Sequence, residues 1–310
     1  MVDGMTDVLS QLRERARRRN ARIVLPEAGD ARTAAARQLI EQQGLGEVIW
    51  IEDPAKDPRL DEVAAHVLIQ RKHKGITAEQ ARELAVQPLV FGAGLIATGH
   101  ADCGVSGAAH STADVIRAGL TCLGTAPSTP LVSSMFLLIR ADEVLSFADA
   151  GVVPDPSAEQ LVHIANATAC NHRTFTGAAP RVAFLSFSTH GSAAHPRVDK
   201  MRTAYEQFHT AHPDVVCDGE LQFDAAYLTD VAQRKCPESP LAGNANVFVF
   251  PDLDAGNIAY KLAERLAGFE AYGPILQGFR GPWLDLSRGC SAEDIAGVAT
   301  IASAMLANTD

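Results

Sequence analysis

The sequence predicts an α/β protein of two domains, and three observations carry that prediction. Short apolar runs alternate with longer amphipathic segments along the whole chain. The runs are continuously apolar rather than alternating, as parallel strands become when helices cover both faces of a sheet. The chain also has 310 residues, more than the roughly 250–300 at which single cores stop growing.

The elements follow in order. RIVLP (22–26) and EVIWI (47–51) read as buried strands, and ARTAAARQLIEQQG between them reads as a helix closed by Gly44. Thr77 with Gln80 forms a capping-box pattern opening TAEQARELAV. DCGVS (102–106) is a further strand, leading through Gly107 into the helix STADVIRAGLTCLG. LVSSMFLLI, EVLSFAD, RVAFLSF and NVFVFP are later strand candidates. Helical patterns occupy SAEQLVHIANATACNHR, PRVDKMRTAYEQFH and AGNIAYKLAERLAG. The Pro/Ser/Thr-rich TAPSTP (125–130) marks a crossover between domains, and a second near residue 274 returns the chain. The expected division is 1–126 plus 275–310 for one domain and 127–274 for the other.

Composition narrows the function classes. A formal charge of -10 argues against a general nucleic-acid binder, which needs a basic face to neutralise phosphates. It leaves small anions open, because a few local arginines can outweigh the global balance. Cysteines stand at 103, 122, 170, 217, 236 and 290, with no CxxC pair and no zinc-finger spacing. They read as reduced, mostly buried thiols. No secretory signal is expected in the opening residues, and the longest uncharged stretch, 118–139, is broken by Gly124, Pro127 and Pro130. A cytoplasmic protein is expected.

In this architecture, ligands gather at loops beyond the carboxyl ends of strands. Three loops place small hydroxyl residues where backbone N–H groups can meet an anion. SGAAHSTADVIR (106–117) holds Gly107, Ser111, Thr112 and Arg117; it is either an anion site or an N-cap with a solvent-facing arginine. SFSTHGSAAHP (186–196) holds Ser188, Thr189, Gly191 and Ser192; it suits a phosphate or a flexible turn, and lacks both GxxxxGK[ST] and GxGxxG. In DLSRGCSAED (285–294), Ser291 and Asp294 fit a capping pattern, but a cap has no use for Ser287 and Arg288 before the turn. DLDAGN (252–257) suggests either a hard-metal site or, preferred here, a helix cap at Asp254. The pairs His190/His195 and His209/His212 have no third ligand at a telling distance.

The runs RKHKGITAEQAREL, SGAAHSTADVIR, PLVSSMFLL, PDPSAEQL, DGELQFDAA, VFPDLDAGN, GPILQG and DLSRGCSAEDI resemble phosphate acetyltransferases over nearly the whole chain. The resemblance implies two α/β domains flanking a cleft, like isocitrate and isopropylmalate dehydrogenases, usually as a homodimer. It implies acetyl transfer between CoA and inorganic phosphate, with CoA as substrate and no bound metal or redox cofactor. It places substrate-binding arginines at Arg71, Arg117 and Arg288, the motif serine at Ser287 and the base at Asp294. Ala118, Gly124, Val153 and His195 depart from the housekeeping form and resemble the ethanolamine-utilisation branch, which sometimes works inside a bacterial microcompartment. Ala150 and Leu284 also depart, standing where Cys and Asn are usual.

As chemistry, the reaction needs a thiolate and a stabilised leaving group. Asp294 would take the CoA proton, helped if burial raised its basicity. Arg288 would hold phosphate oxygens bidentately, and Ser287 would donate to the carbonyl oxygen as it gains charge. Direct transfer is expected, and an acyl-enzyme on Cys290 or Cys103 is the rival. A metal-dependent dehydrogenase of this fold, or a catalytically silent relative, are the other classes.

Overall fold

The structure is a computed structural model that describes residues 8–127, 129–141 and 143–306. The elements, in chain order, are α1 (Val8–Arg19), β1 (Arg22–Leu25), α2 (Ala31–Gln42), β2 (Glu47–Trp50), α3 (Leu60–Gln70), α4 (Ala78–Ala85), α5 (Pro88–Ala97), β3 (Cys103–Ser106) and α6 (Thr112–Cys122). Then come β4 (Ser133–Arg140), β5 (Glu143–Ala148), α7 (Ala158–Thr176), β6 (Arg181–Leu185), α8 (Pro196–Ala211), β7 (Val216–Leu221), α9 (Phe223–Tyr227), α10 (Thr229–Lys235) and β8 (Val247–Val249). The last are α11 (Leu253–Ala267), β9 (Glu270–Gln277), β10 (Trp283–Asp285) and α12 (Ala292–Met305). The chain divides into two compact units, Met1–Ser128 with Phe279–Asp310, and Thr129–Gly278. Ser128, inside the expected crossover TAPSTP, and residues 1–7 lie outside the described residues.

The first unit is built on a parallel sheet of order β10-β3-β1-β2. Its centre is Trp283, fully buried, whose indole N–H donates to the Val115 carbonyl at 2.9 Å. Gly104 on β3 makes room for that ring: a Cβ there would lie 2.8 Å from the indole. Burying an indole of this size contributes on the order of 3 kcal/mol. α2 starts on Asp30, whose carboxylate accepts from the Arg32 N–H, and α4 carries the expected Thr77/Gln80 box. Most of the arginine-rich segment RERARRRN (13–20) forms the later part of α1 before the first strand.

The second unit holds a sheet of order β7-β6-β8-β5-β4-β9. An all-parallel sheet was expected, and this half is mixed: β4 runs antiparallel to both β5 and β9. The reason is physical. Ser133–Ile139 are all buried between flanking strands and two covered faces, and a continuous apolar run reports burial on both faces without reporting strand direction. The core of this unit is aromatic, with Phe147 edge-on to Phe248 at 5.4 Å. α11 begins on Asp252, which accepts from the Ala255 N–H. The expected cap at Asp254 is therefore corrected by two residues. Among the described residues no Asp/Glu/His/Cys group is arranged to hold a metal, and all six cysteines are free, with only Cys170 exposed.

Candidate active site in the first unit

The site grows from the end of β1, where Leu25 and Pro26 lead to Glu27. This carboxylate is 6% exposed. One oxygen accepts the N–H groups of Gly107 and Ala108, both at 2.9 Å, and the other those of Ala109 at 2.9 Å and His110 at 3.1 Å. The His110 ring adds Nδ1 at 2.7 Å. Successive N–H groups in a turn form an anion nest. The loop after β3 is such a nest, as its composition suggested, but the anion it holds belongs to the chain.

The next residues are equally committed. Ser111 caps α6, its Oγ accepting from the Asp114 N–H and donating to the Asp114 carboxylate at 2.7 Å. The cap reading of that serine is the one realised. Thr112 donates its hydroxyl to Asp285 Oδ2. Asp285 is fully buried at the end of β10, and its Oδ1 has no partner among the described residues. Gly107 passes directly over it: at φ +107°, a Cβ would lie 2.2 Å from Oδ1. Burial pushes the Asp285 carboxyl up to about 6, partly opposed by the Thr112 hydrogen bond and helped by the charge of Glu27.

Arg32 ties these loops together. Its Nε and Nη2 grip the Asp30 carboxylate, Nη2 also donates to the Ala108 carbonyl at 2.7 Å, and Nη1 donates to the carbonyls of Arg288 at 2.6 Å and Cys290 at 3.1 Å. A planar fork with five N–H groups can serve three strand ends at once, which a lysine cannot. The loop of Glu27 and His110 and the loop of Ser287 and Arg288 are thus held in one register.

The DLSRGCSAED stretch answers to both of its readings. Ser291 and Asp294 form a reciprocal capping box on α12, with Asp294 accepting the Ser291 N–H at 2.8 Å. Asp294 is exposed, so the burial expected to raise its basicity is not provided. Ser287 and Arg288 are also exposed; the Ser287 hydroxyl accepts only the Gly289 N–H, and no described residue takes the Arg288 guanidinium. Cys290 and Cys103 are buried, and burial pushes both thiols up.

Arg71 donates to the Thr121 hydroxyl, which donates in turn to the main-chain carbonyl of Arg117 one helical turn earlier at 2.7 Å. Arg117 pairs with Asp114 at 2.6 Å and stays largely exposed. Arg117 and Thr121 border a cavity of about 330 Å³, lined also by Gln87, His110 and Asp114. A second cavity of about 270 Å³ is lined by Glu27, Gly29, Asp30, Glu52 and His110. His110 is common to both.

Ser188 and Thr189 belong to the second unit and are buried. Ser188 donates to Glu220 at 2.9 Å, Gly191 N–H to the same oxygen at 2.7 Å, and Arg202 to the other oxygen at 3.0 Å. The Thr189 hydroxyl accepts the Gln222 N–H at 3.0 Å. This loop, too, wraps an internal carboxylate. His190 pairs with Asp218, His195 caps α8, and His209 and His212 pack beside Tyr205 and Phe208. Sequence reasoning missed Glu27, Arg32, His110 and Asp285. Glu27 directly follows the quoted RIVLP and the other three lie inside quoted runs; Asp285 ends β10, and Glu27 comes two residues after β1.

The profile of the phosphate acetyl/butaryl transferase family matches residues 47–303. The phosphate acetyltransferase of Thermoanaerobacterium thermosaccharolyticum is 43% identical over 317 aligned positions, covering 94% of this chain and 97% of that protein. A phosphotransacetylase structure from Streptococcus pyogenes superposes with a TM-score of 0.92 at 40% identity, covering 98% of this chain and 99% of that one. The EutD phosphotransacetylase of Staphylococcus aureus superposes at 0.87 with 38% identity, covering 98% and 100%. The chain belongs to the phosphate acetyl/butaryl transferase family.

Proposed function

We propose that the protein is a phosphate acetyltransferase, interconverting acetyl-CoA plus phosphate and acetyl phosphate plus CoA by direct thiolate attack. The observation that carries this reading is the convergence held by Arg32, which fixes the exposed Ser287-Arg288 pair beside the His110 loop. The names and full-length similarity of the relatives point the same way. In this reading Arg288 holds phosphate oxygens and Ser287 donates to the carbonyl oxygen. Asp294 accepts the thiol proton, and Arg71 and Arg117 hold the charged parts of CoA. Ser188 and Thr189 are left out, because their hydroxyls already serve Glu220 and Gln222. CoA is a substrate, and no bound cofactor is invoked.

The likeness to the EutD protein supports a place in the ethanolamine-utilisation branch. No described helix is long and apolar enough to cross a membrane; the proposed location is the cytoplasm, free or associated with a bacterial microcompartment. A homodimer is proposed as well, supported by the exposed stripe Ile258, Leu262 and Leu266 at successive turns of α11. The deciding assay mixes purified protein, CoA and acetyl phosphate without metal or NAD and follows thioester absorbance. Propionyl and butyryl phosphate in parallel rank the acyl groups. No thioester from any of the three would sink the reading.

A further inference from the structure

We propose that His110 is a further catalytic residue of this site. Its Nε2 gives a proton to the phosphate as it leaves acetyl phosphate, and takes one from hydrogen phosphate in the opposite direction. The inference rests on the phosphate acetyltransferase reading above.

The geometry has four parts. His110 Nδ1 lies 2.7 Å from the Glu27 carboxylate, which accepts its N–H and so assigns the exchangeable proton to Nε2. Glu27 cannot swing away, because four backbone N–H groups hold it. The ring is 39% exposed, lines both of the cavities described above, and Nε2 has no partner among the described residues. Through Arg32, the loop carrying this ring is fixed to the loop carrying Arg288, the proposed phosphate ligand. The buried member of the pair orients and compensates the charge of the exposed one, as an acid–base histidine requires. Other charged groups around the ring are Asp114 and Arg117 on α6, with Asp30 and Glu52 across the smaller cavity.

The chemistry needs such a group. When sulfur attacks the carbonyl carbon of acetyl phosphate, the C–S bond forms and the thiol proton passes to Asp294. Collapse then breaks the acyl C–O bond and leaves its electron pair on a phosphate oxygen. Without a proton the departing group would be the phosphate trianion. With the Nε2 proton it leaves as hydrogen phosphate. Asp294 as its acid and His110 as neutral imidazole then exchange one proton through solvent. The net change is one proton moved from sulfur to phosphate.

The test compares His110→Asn with the parent protein on two substrates. Asn can still donate to Glu27 but carries no proton in place of Nε2. With acetyl phosphate, kcat should fall about 10²–10⁴-fold. With methyl acetyl phosphate, whose leaving group is a stable dianion needing no proton, the variant should stay within about tenfold of the parent. Equal losses on both substrates would make His110 a structural residue and overturn the proposal, as would an undiminished rate on acetyl phosphate. An unchanged thermal melt confirms that the variant is folded; if it melts early, Glu27→Gln with the same two substrates decides, since it removes the charge behind the ring. A parent protein that makes no acetyl-CoA overturns the underlying reading instead.

Discussion

Replacing Asp285 with Asn should change how stability responds to pH, and the structure sets the size of the effect. Burial raises this carboxyl from its ordinary 3.8 to about 6. The folded state therefore binds its proton more tightly than the unfolded chain does. Its contribution to stability is complete below about pH 4 and disappears as pH rises through about 6. A displacement of about two pH units corresponds to about 3 kcal/mol in total, of which about 2 kcal/mol falls between roughly pH 4.5 and 7.5. Asn cannot ionise, so the stability of the parent minus that of Asp285→Asn should fall by about 2 kcal/mol across that window. Groups common to both proteins cancel in the difference. Urea unfolding followed by tryptophan fluorescence is a suitable assay, because both tryptophans, Trp50 and Trp283, lie in the first unit with Asp285. A difference that stays flat with pH would show that Asp285 does not titrate between these states, and the account of its buried, half-partnered carboxyl would fail.

Three further outcomes are expected. Arg32→Lys should lower kcat about 10²-fold with little change in the KM for CoA, since an ammonium cannot hold Asp30 and three carbonyls together; full kcat in steady-state assays would dismiss the staple. Arg288→Ala should raise the KM for phosphate about 10–100-fold, whereas Asp294→Asn should chiefly lower kcat; parental kinetics in either would return DLSRGCSAED to being a helix cap alone. Cys290→Ser and Cys103→Ser should each keep full activity and show no acyl-enzyme burst in rapid-mixing experiments, because burial holds both thiols in the protonated form. A burst lost in one variant would restore the ping-pong route.

The strand and helix order was largely legible, because the signals were local. A capping box such as Thr77/Gln80 is written in four residues, and a run such as RIVL needs no partner to declare itself buried. What the sequence could not show is anything fixed by contacts distant along the chain. β4 runs antiparallel to β5, its neighbour along the chain, but its other partner, β9, comes more than a hundred residues later. The sequence assigned no element to the segment that forms α1, whose place is fixed by contacts such as Arg19 donating to the carbonyls at 303 and 306. Arg32 reads as one charge on an amphipathic helix, yet its partners are at 30, 108, 288 and 290.

Two of the three loops singled out for small hydroxyl residues and free N–H groups, 106–117 and 186–196, show this most clearly. Composition left one loop open between an anion site and a helix cap and the other between a phosphate site and a flexible turn; in both, the group the loop wraps is a glutamate of the same chain, Glu27 in one unit and Glu220 in the other. A glutamate that ends or follows a strand, placed near a Gly- and Ser-rich turn, is the signal that was available. The consequence differs between the units. Around Glu220 the charge is matched by Arg202, with Ser188 and Gly191 closing the site, so the arrangement is self-contained. Around Glu27 no arginine or lysine side chain donates among the described contacts, and the group completing the shell is a half-exposed imidazole with one nitrogen free. A nest that spends four N–H groups on a carboxylate, and then aims that carboxylate at a histidine bordering two cavities, is built to hold a proton donor in place. The same nest without His110 would only hold a loop.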